Sequence, residues 1–386
     1  MSAANPSICS WLEWFGWGPK GPIGIDVGHS CIRMIQLGCR EGRIRVESAE
    51  QECLEPASPA GGHAHRTAVV RAIRAMLARG RFSGREAVSC LPGDALKIKS
   101  QRLDSLEAER LEEGRIDELA ERFGLDPDKD EIRYLVAGSV YQGEEIKKEV
   151  IFFGMNRTQL LGHLALLEEA GLEPVAVDAM PCALFRSFQR SLRRQEDREV
   201  VSVLVNLGTY FTTVIIGKGT SISLIKQIPL AEQHLTQRAA DVLGISCDEA
   251  ARQIAREWAE GCESDNSPIH QTLSSALKRT IEDLAREISL CFKYYAVAFR
   301  GERPSEVVFA GGCLYESLLM DMLCRQLNLD IRTAEPLRGI DLSHVSFDRR
   351  PNPQRAEWAV AVGLALKGWR PGQSKSELVS KMKAAV

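Results

Sequence analysis

Gly24-Ile25-Asp26-Val27-Gly28-His29-Ser30-Cys31-Ile32-Arg33 and Val205-Asn206-Leu207-Gly208-Thr209-Tyr210-Phe211-Thr212-Thr213 decide the reading of this chain. Each begins in an apolar run, turns at a short polar segment holding a glycine, and continues into a second apolar run. Asp26 and Asn206 occupy equivalent places 180 residues apart, as do Gly28 and Gly208. A glycine at such a turn lets backbone N–H groups approach phosphate oxygens closely, because no Cβ intervenes. Two hairpins of this kind, facing each other from two lobes, can act as the two halves of one phosphate clamp.

Around the first stretch, Ile23 to Val27, Ile32 to Leu37 and Ile44 to Ser48 read as three strands, with a tight turn at Cys39-Arg40-Glu41-Gly42. The Pro/Gly-rich loop Pro56 to Gly62 follows, and His63 and His65 read as part of it. Val69, Val70, Ile73, Met76 and Leu77 then recur at helical spacing up to Arg79-Gly80. Around the second stretch the pattern repeats as strands Val200 to Asn206, Phe211 to Ile216 and Ser221 to Ile228. A duplicated β-β-β unit is the expectation.

Between the two units the texture changes at about Arg85. Strands are expected at Ala87 to Leu91, Leu96 to Leu103, Ile132 to Ser139 and Val150 to Met155, with a short helix at Ile116 to Phe123. A longer helix, Arg157 to Glu169, stops at Gly171. Asp104 to Glu118 reads as a solvated loop and helix face. This block reads as a small α+β insertion.

Val175 to Asp178 returns to a strand, Pro181 to Leu192 is helical, and Arg193 to Glu199 is a polar connection. After the second unit come helices Leu230 to Leu243, Cys247 to Glu260 with Ser246 as N-cap, and Leu273 to Phe299. Val307 to Ala310 enters a further helix, Tyr315 to Leu327, through Gly311-Gly312, and a short strand, Leu329 to Ile331, follows. A small-residue helix at Arg355 to Leu366 closes the globular part. The division that follows is an aromatic tail over 1–22, a first lobe over 23–84, 175–198 and 352–368, an insertion over 85–174, a second lobe over 199–351 and a tail over 369–386.

Composition bounds the function. The chain has 386 residues, 44% of them hydrophobic and 26% charged, which suits two globular lobes. A formal net charge of −3 supplies no field for nucleic acid. The eleven cysteines are scattered, mostly in apolar runs and without CxxC, as expected of small buried hydrophobes in a reducing cytosol. No stretch approaches the ~18 apolar residues of a membrane span, and the start lacks a signal-peptide pattern, so a cytoplasmic protein is expected. Ile8 to Trp17 holds three of the six tryptophans and reads either as an interfacial foot or partner contact, or as a tail packed on its own domain.

Asp26, at the end of the first strand, is placed to coordinate Mg²⁺ directly or through water. Arg33 can reach phosphate oxygens, or stand as a surface charge. Gly311-Gly312 lets an adenine or ribose lie against the backbone. The sequence holds no HExxH, GxxxxGK[ST], post-strand GxGxxG or GxSxG.

With these motifs in place, the chain resembles the actin/Hsp70/sugar-kinase ATPase superfamily, and within it the PilM type of type IV pilus assembly proteins, related to FtsA. Gly24 to Arg33 resembles the first phosphate motif, Val205 to Thr209 the second, and Phe309-Ala310-Gly311-Gly312 the adenosine motif. Asp178 to Phe185 and Ala359 to Leu366 match the interlobe connecting helices. Glu169-Ala170-Gly171-Leu172-Glu173-Pro174-Val175-Ala176-Val177-Asp178 is particularly PilM-like. The resemblance implies an α/β, actin-like (ribonuclease H-like) two-lobed ATPase fold with an inserted 1C-type subdomain. It implies ATP held by Asp26, Gly28, His29, Ser30, Cys31, Arg33, Asn206, Gly208, Thr209, Gly311 and Gly312, with Mg²⁺ at Asp26.

The partner it implies is the cytoplasmic N-terminal peptide of a PilN-like inner-membrane protein, which would hold the chain at the inner membrane. A secretion or pilus ATPase, a platform protein and a second copy of the chain are further partners it admits. Asn206 stands where the family usually has Asp, and Arg33 where Lys is usual. Cys313-Leu314-Tyr315-Glu316 replaces the glycine continuation of the adenosine motif. A nucleotide-held scaffold with weak or absent ATPase activity is therefore expected. An FtsA-like polymerising membrane anchor and a small-molecule kinase using Asp26 and Asp178 are the alternatives.

Overall fold

A computed structural model describes residues 20–40, 43–54, 63–190, 192, 199–259, 268–301, 304, 306–312, 317–345, 347 and 355–367. The Trp-rich start and the C-terminal tail lie outside the described residues. In order the elements are β1 (Ile23–Val27), β2 (Cys31–Arg40), β3 (Arg43–Cys53), α1 (His63–Arg79), β4 (Glu86–Cys90), β5 (Leu96–Leu103), α2 (Ser105–Glu112), α3 (Ile116–Arg122), β6 (Asp130–Gln142), β7 (Glu145–Asn156), α4 (Arg157–Glu169), β8 (Glu173–Asp178) and α5 (Met180–Gln189). The second half has β9 (Val201–Leu207), β10 (Thr212–Lys218), β11 (Ser221–Ile228), α6 (Glu232–Leu243), α7 (Cys247–Ala259), α8 (Pro268–Ala298), β12 (Glu306–Gly311), α9 (Ser317–Leu327), β13 (Asp330–Thr333) and α10 (Ala359–Ala365).

The duplication is real at the level of topology. One sheet has the order β3-β2-β1-β4-β8 and the other β11-β10-β9-β12-β13. In each, the first three strands in sequence pair antiparallel and the last two join in parallel. Alternation along β2 explains how the first sheet is covered on both faces. Ile32 and Met34 pack with Ile73 and Met76 of α1, while Ile35 and Leu37 pack with Ala361 and Val362 of α10. Gly24 is required by that second packing, because a Cβ there would collide with the Ala361 carbonyl.

The strand pairing shifts two boundaries. The sequence reading starts the insertion at Arg85 and ends it at Pro174, yet β4 lies between β1 and β8 in the first sheet. Leu167 of α4 is buried with Val69 and Ile73 of α1. The separate three-stranded sheet, β5-β7-β6, is therefore built from residues 96–156. Likewise, residues 337–347 fall within the stretch assigned to the second lobe. Leu337 and Ile340 are nevertheless buried with Ile35 and Trp358, and Val46 N donates to Asp341 O at 2.9 Å.

Asp104 to Glu118 is mostly exposed, as a solvated loop and helix face would be, and most of it is helical, in α2 and the start of α3. Asp104 caps α2 through Glu107 N at 2.9 Å while Glu107 Oε2 accepts from Asp104 N at 3.1 Å, a reciprocal pair that satisfies two orphan donors. His63 and His65 begin α1 instead of lying in a loop. The cysteine expectation also needs correction: Cys90 and Cys291 are buried, but Cys53, Cys247 and Cys324 are exposed.

One face of the inserted sheet covers α2 and α3 through Val150 and Phe152. Its other face, with Ile151, Phe153 and Met155, is part of the same core as β9, β10 and β11. A polar contact reinforces that junction. Tyr294 of α8 donates to the buried Glu149 at 3.2 Å and accepts from Arg102 at 3.1 Å.

Candidate nucleotide cleft

The two glycine turns are built alike. Gly28 N donates to Cys31 O at 3.1 Å, and Gly208 N donates to Phe211 O at 3.2 Å. A Cβ at Gly28 would come within 2.8 Å of Cys31 O, and one at Gly208 within 2.9 Å of Phe211 O. Both turns therefore need glycine for the same steric reason. They also meet across the lobes. The His29 ring lies edge-on to Tyr210, centroids 4.5 Å apart, and His29 Nε2 is 3.2 Å from Asp94 Oδ1.

Asp26, Cys90 and Asp178 stand in register across the three parallel strands β1, β4 and β8. Burial pushes the Asp26 carboxyl above its ordinary value, and the charge of Arg33, its cross-strand neighbour, only partly offsets this. Cys90 is raised well above the usual thiol range by burial and then by the two carboxylates. Asp178 behaves in the opposite way. Its carboxylate accepts from Arg186 at 2.7 Å and from Lys367 at 2.9 Å. Burial alone would raise its pKa, but these two cations together hold it at about 2. Arg186 also donates to Gly363 O at 2.9 Å. Asp178 thus ties α5 to α10 and is not available as the base that a kinase reading requires.

In the second lobe Asn206 holds the place of Asp26, and its amide faces Met180 Sδ at 3.9 Å. Gly311 has φ 125°, and a Cβ there would collide with Leu207 O, so the strand leaves the sheet in a way only glycine tolerates. Arg33 spans the cleft from the first lobe: its Nη2 lies 3.9 Å from where a Gly312 Cβ would be, and its Nε donates to Gln51 at 3.2 Å. The structure therefore brings Asp26, Gly28, His29 and Arg33 together with the Gly208 turn and Gly311-Gly312. Ser30 is exposed and Thr209 half-buried at the two turns. Cys31 points at Cys53 on β3.

Sequence reasoning passed over Tyr210, Asp94, Met180 and Gln227, whose Nε2 donates to Gly93 O at 2.8 Å across the lobes. For Tyr210 a signal existed: it sits in the second stretch at the turn position that Ser30 fills in the first.

The family model described as "Type IV pilus assembly protein PilM" matches residues 24–369. The chain belongs to the PilM family. Among solved structures, one described as "PilM-PilN type IV pilus biogenesis complex" superposes with a TM-score of 0.74 at 18% identity, covering 91% of this chain and 99% of that one. The ethanolamine utilization protein EutJ from Carboxydothermus hydrogenoformans superposes with a TM-score of 0.52 at 14% identity, covering 90% of this chain and 89% of its own. The fold of this PilM-family chain is the actin-like ATPase fold, with its two sheets as the two lobes. Among the described residues no helix is long and apolar enough to cross a membrane.

Proposed function

We propose that this chain is a nucleotide-held scaffold of a type IV pilus or type II-like secretion platform at the inner membrane. ATP binds between the lobes, with its phosphates at the Gly28 and Gly208 turns, Arg33 on the phosphate oxygens and Mg²⁺ at Asp26. The cytoplasmic N-terminal peptide of a PilN-like membrane protein docks between the first lobe and the inserted sheet. Membership of the PilM family supports the scaffold role. The observation that carries the nucleotide reading is the matched pair of glycine turns, which meet across the lobes through His29 and Tyr210 with Arg33 beside Gly312.

Asn206 favours holding nucleotide over consuming it, since an amide cannot take a proton from an attacking water at neutral pH. Calorimetric titration of Mg-ATP into the full chain tests the site. Saturable binding that Asp26→Ala weakens by about ten-fold or more is the expected result. Absence of binding at millimolar nucleotide overturns it. A tail-peptide affinity that is the same with and without saturating ATP would show that the cleft and the docking groove are independent.

A further inference from the structure

Cys31 and Cys53 face each other across β2 and β3, and their Sγ atoms are 2.7 Å apart. The hydrogen bonds around them define the kind of pair they make. Cys31 O accepts from Gly28 on the β1 side, whereas Ser30 O accepts from Leu54 N at 2.8 Å on the β3 side. Successive peptide groups alternate between the two edges of a strand, so Cys31 and Cys53 form a non-hydrogen-bonded pair of the β2–β3 ladder. Such pairs hold their Cα atoms about 4.5 Å apart, within the span of a disulfide.

The pair also touches the proposed binding machinery. Cys31 supplies the carbonyl that closes the Gly28 turn. Gln51 Nε2 lies 3.8 Å from Cys53 Sγ, while its Oε1 accepts from Arg33, the residue that spans the cleft. Cys53 is exposed and open to a small oxidant; Cys31 is half-buried behind it.

We propose that Cys31 and Cys53 are a reversible redox modification site, which a hydroperoxide converts to a disulfide, and that the oxidised chain binds nucleotide more weakly. The second half of this statement rests on the nucleotide reading above; the first does not. In the first step the Cys53 thiolate attacks a peroxide oxygen and the O–O bond breaks. Hydroxide leaves, takes a proton to become water, and Cys53 becomes a sulfenic acid. Cys31 sulfur then attacks Cys53 sulfur, the S–O bond breaks and a second water leaves. Two thiols lose two electrons in all and one hydrogen peroxide becomes two waters; a dithiol reductant reverses the bond by exchange. The cross-link fastens the Gly28–Cys31 turn to β3, so its N–H groups and Arg33 lose the freedom to adjust around phosphate.

The test uses the full chain, treated with hydrogen peroxide and quenched. The expected result is a mass loss of about 2 Da, a tryptic peptide joining Cys31 to Cys53, and recovery of both thiols with dithiothreitol. Mg-ATP affinity is expected to fall about ten-fold on oxidation. In Cys53→Ser, affinity should match the reduced chain and ignore peroxide. Thiols that stay fully alkylatable, a Cys53 that proceeds to sulfinic acid, or a link between other cysteines overturns the site. A Cys31–Cys53 disulfide that changes Mg-ATP affinity by less than about two-fold overturns the regulation. If the reduced chain binds no Mg-ATP, the regulatory half falls with the nucleotide reading, while mass and thiol count still decide the disulfide.

Discussion

Arg186 Nη1 donates to Asp178 Oδ2 at 2.7 Å with both residues buried, and Lys367 completes the cluster from just beyond α10. Removing one member leaves a charge stranded in the interior. Asp178→Ala is expected to destabilise the fold by about 3–5 kcal/mol in denaturant unfolding, whereas an exposed pair such as Arg115–Glu118 is worth under about 1 kcal/mol. The pH dependence follows from the depressed pKa. The stabilisation is present above the unfolded value of 3.8 and is lost as pH falls toward about 2. Acid unfolding of the wild type should therefore contain a component in that window that Asp178→Asn lacks.

Asp26 carries the opposite sign. A carboxyl whose pKa is raised on folding stabilises the fold fully below its unfolded value, and that contribution is lost as pH rises through the folded pKa. The burial that raises the Asp26 pKa makes its charged form costly to hold in the first sheet. Asp26→Asn is expected to raise the melting temperature at pH 7 while weakening Mg-ATP binding. A lower melting temperature would mean that Asp26 has a structural partner.

Two glycine-to-alanine substitutions should move stability in opposite directions. Gly363 lies where α10 crosses α5, and a Cβ there collides with the Ala183 carbonyl, so Gly363→Ala should cost several kcal/mol, of the order of ~3. Gly162 is exposed in α4 with nothing within 4 Å of its would-be Cβ, so Gly162→Ala should stabilise by about 0.5–1 kcal/mol through helix propensity. Thermal melts of the two variants check both.

Thr213, opposite Asn206 on β10, is fully buried, and its hydroxyl has no hydrogen-bond partner among the described residues. An unmatched buried hydroxyl costs about 1–3 kcal/mol. Thr213→Val should therefore stabilise the second lobe by about 1 kcal/mol, read from the denaturant midpoint.

Much of this fold was legible because each β-β-β unit is written locally. Apolar runs of strand length, separated by Gly28 or Gly208 and by tight second turns, leave few other readings. The place of Glu86–Cys90 was not legible. A parallel strand's partners are distant in sequence, so spacing could not say that β4 lies beside β1. Asp104 and Glu107 did carry a capping-box signature, and their charge obscured it. Gly28 and Gly208 were readable as turn glycines from the repeated strand-turn-strand pattern around them. The engagement of Asp178 was not, because Lys367 stands 189 residues away.

The inserted sheet continues from the first lobe in sequence, and Ile151, Phe153 and Met155 pack in a core that spans both lobes, from Val88 and Leu184 to Val203 and Ile215, while Glu149 is bonded to Tyr294 of α8. It is a lever arm anchored at both ends. Any rotation of one lobe against the other must slide this sheet over α8 or twist it about its two chain crossings. A rotation of the lobes would thereby displace the far surface of the insertion.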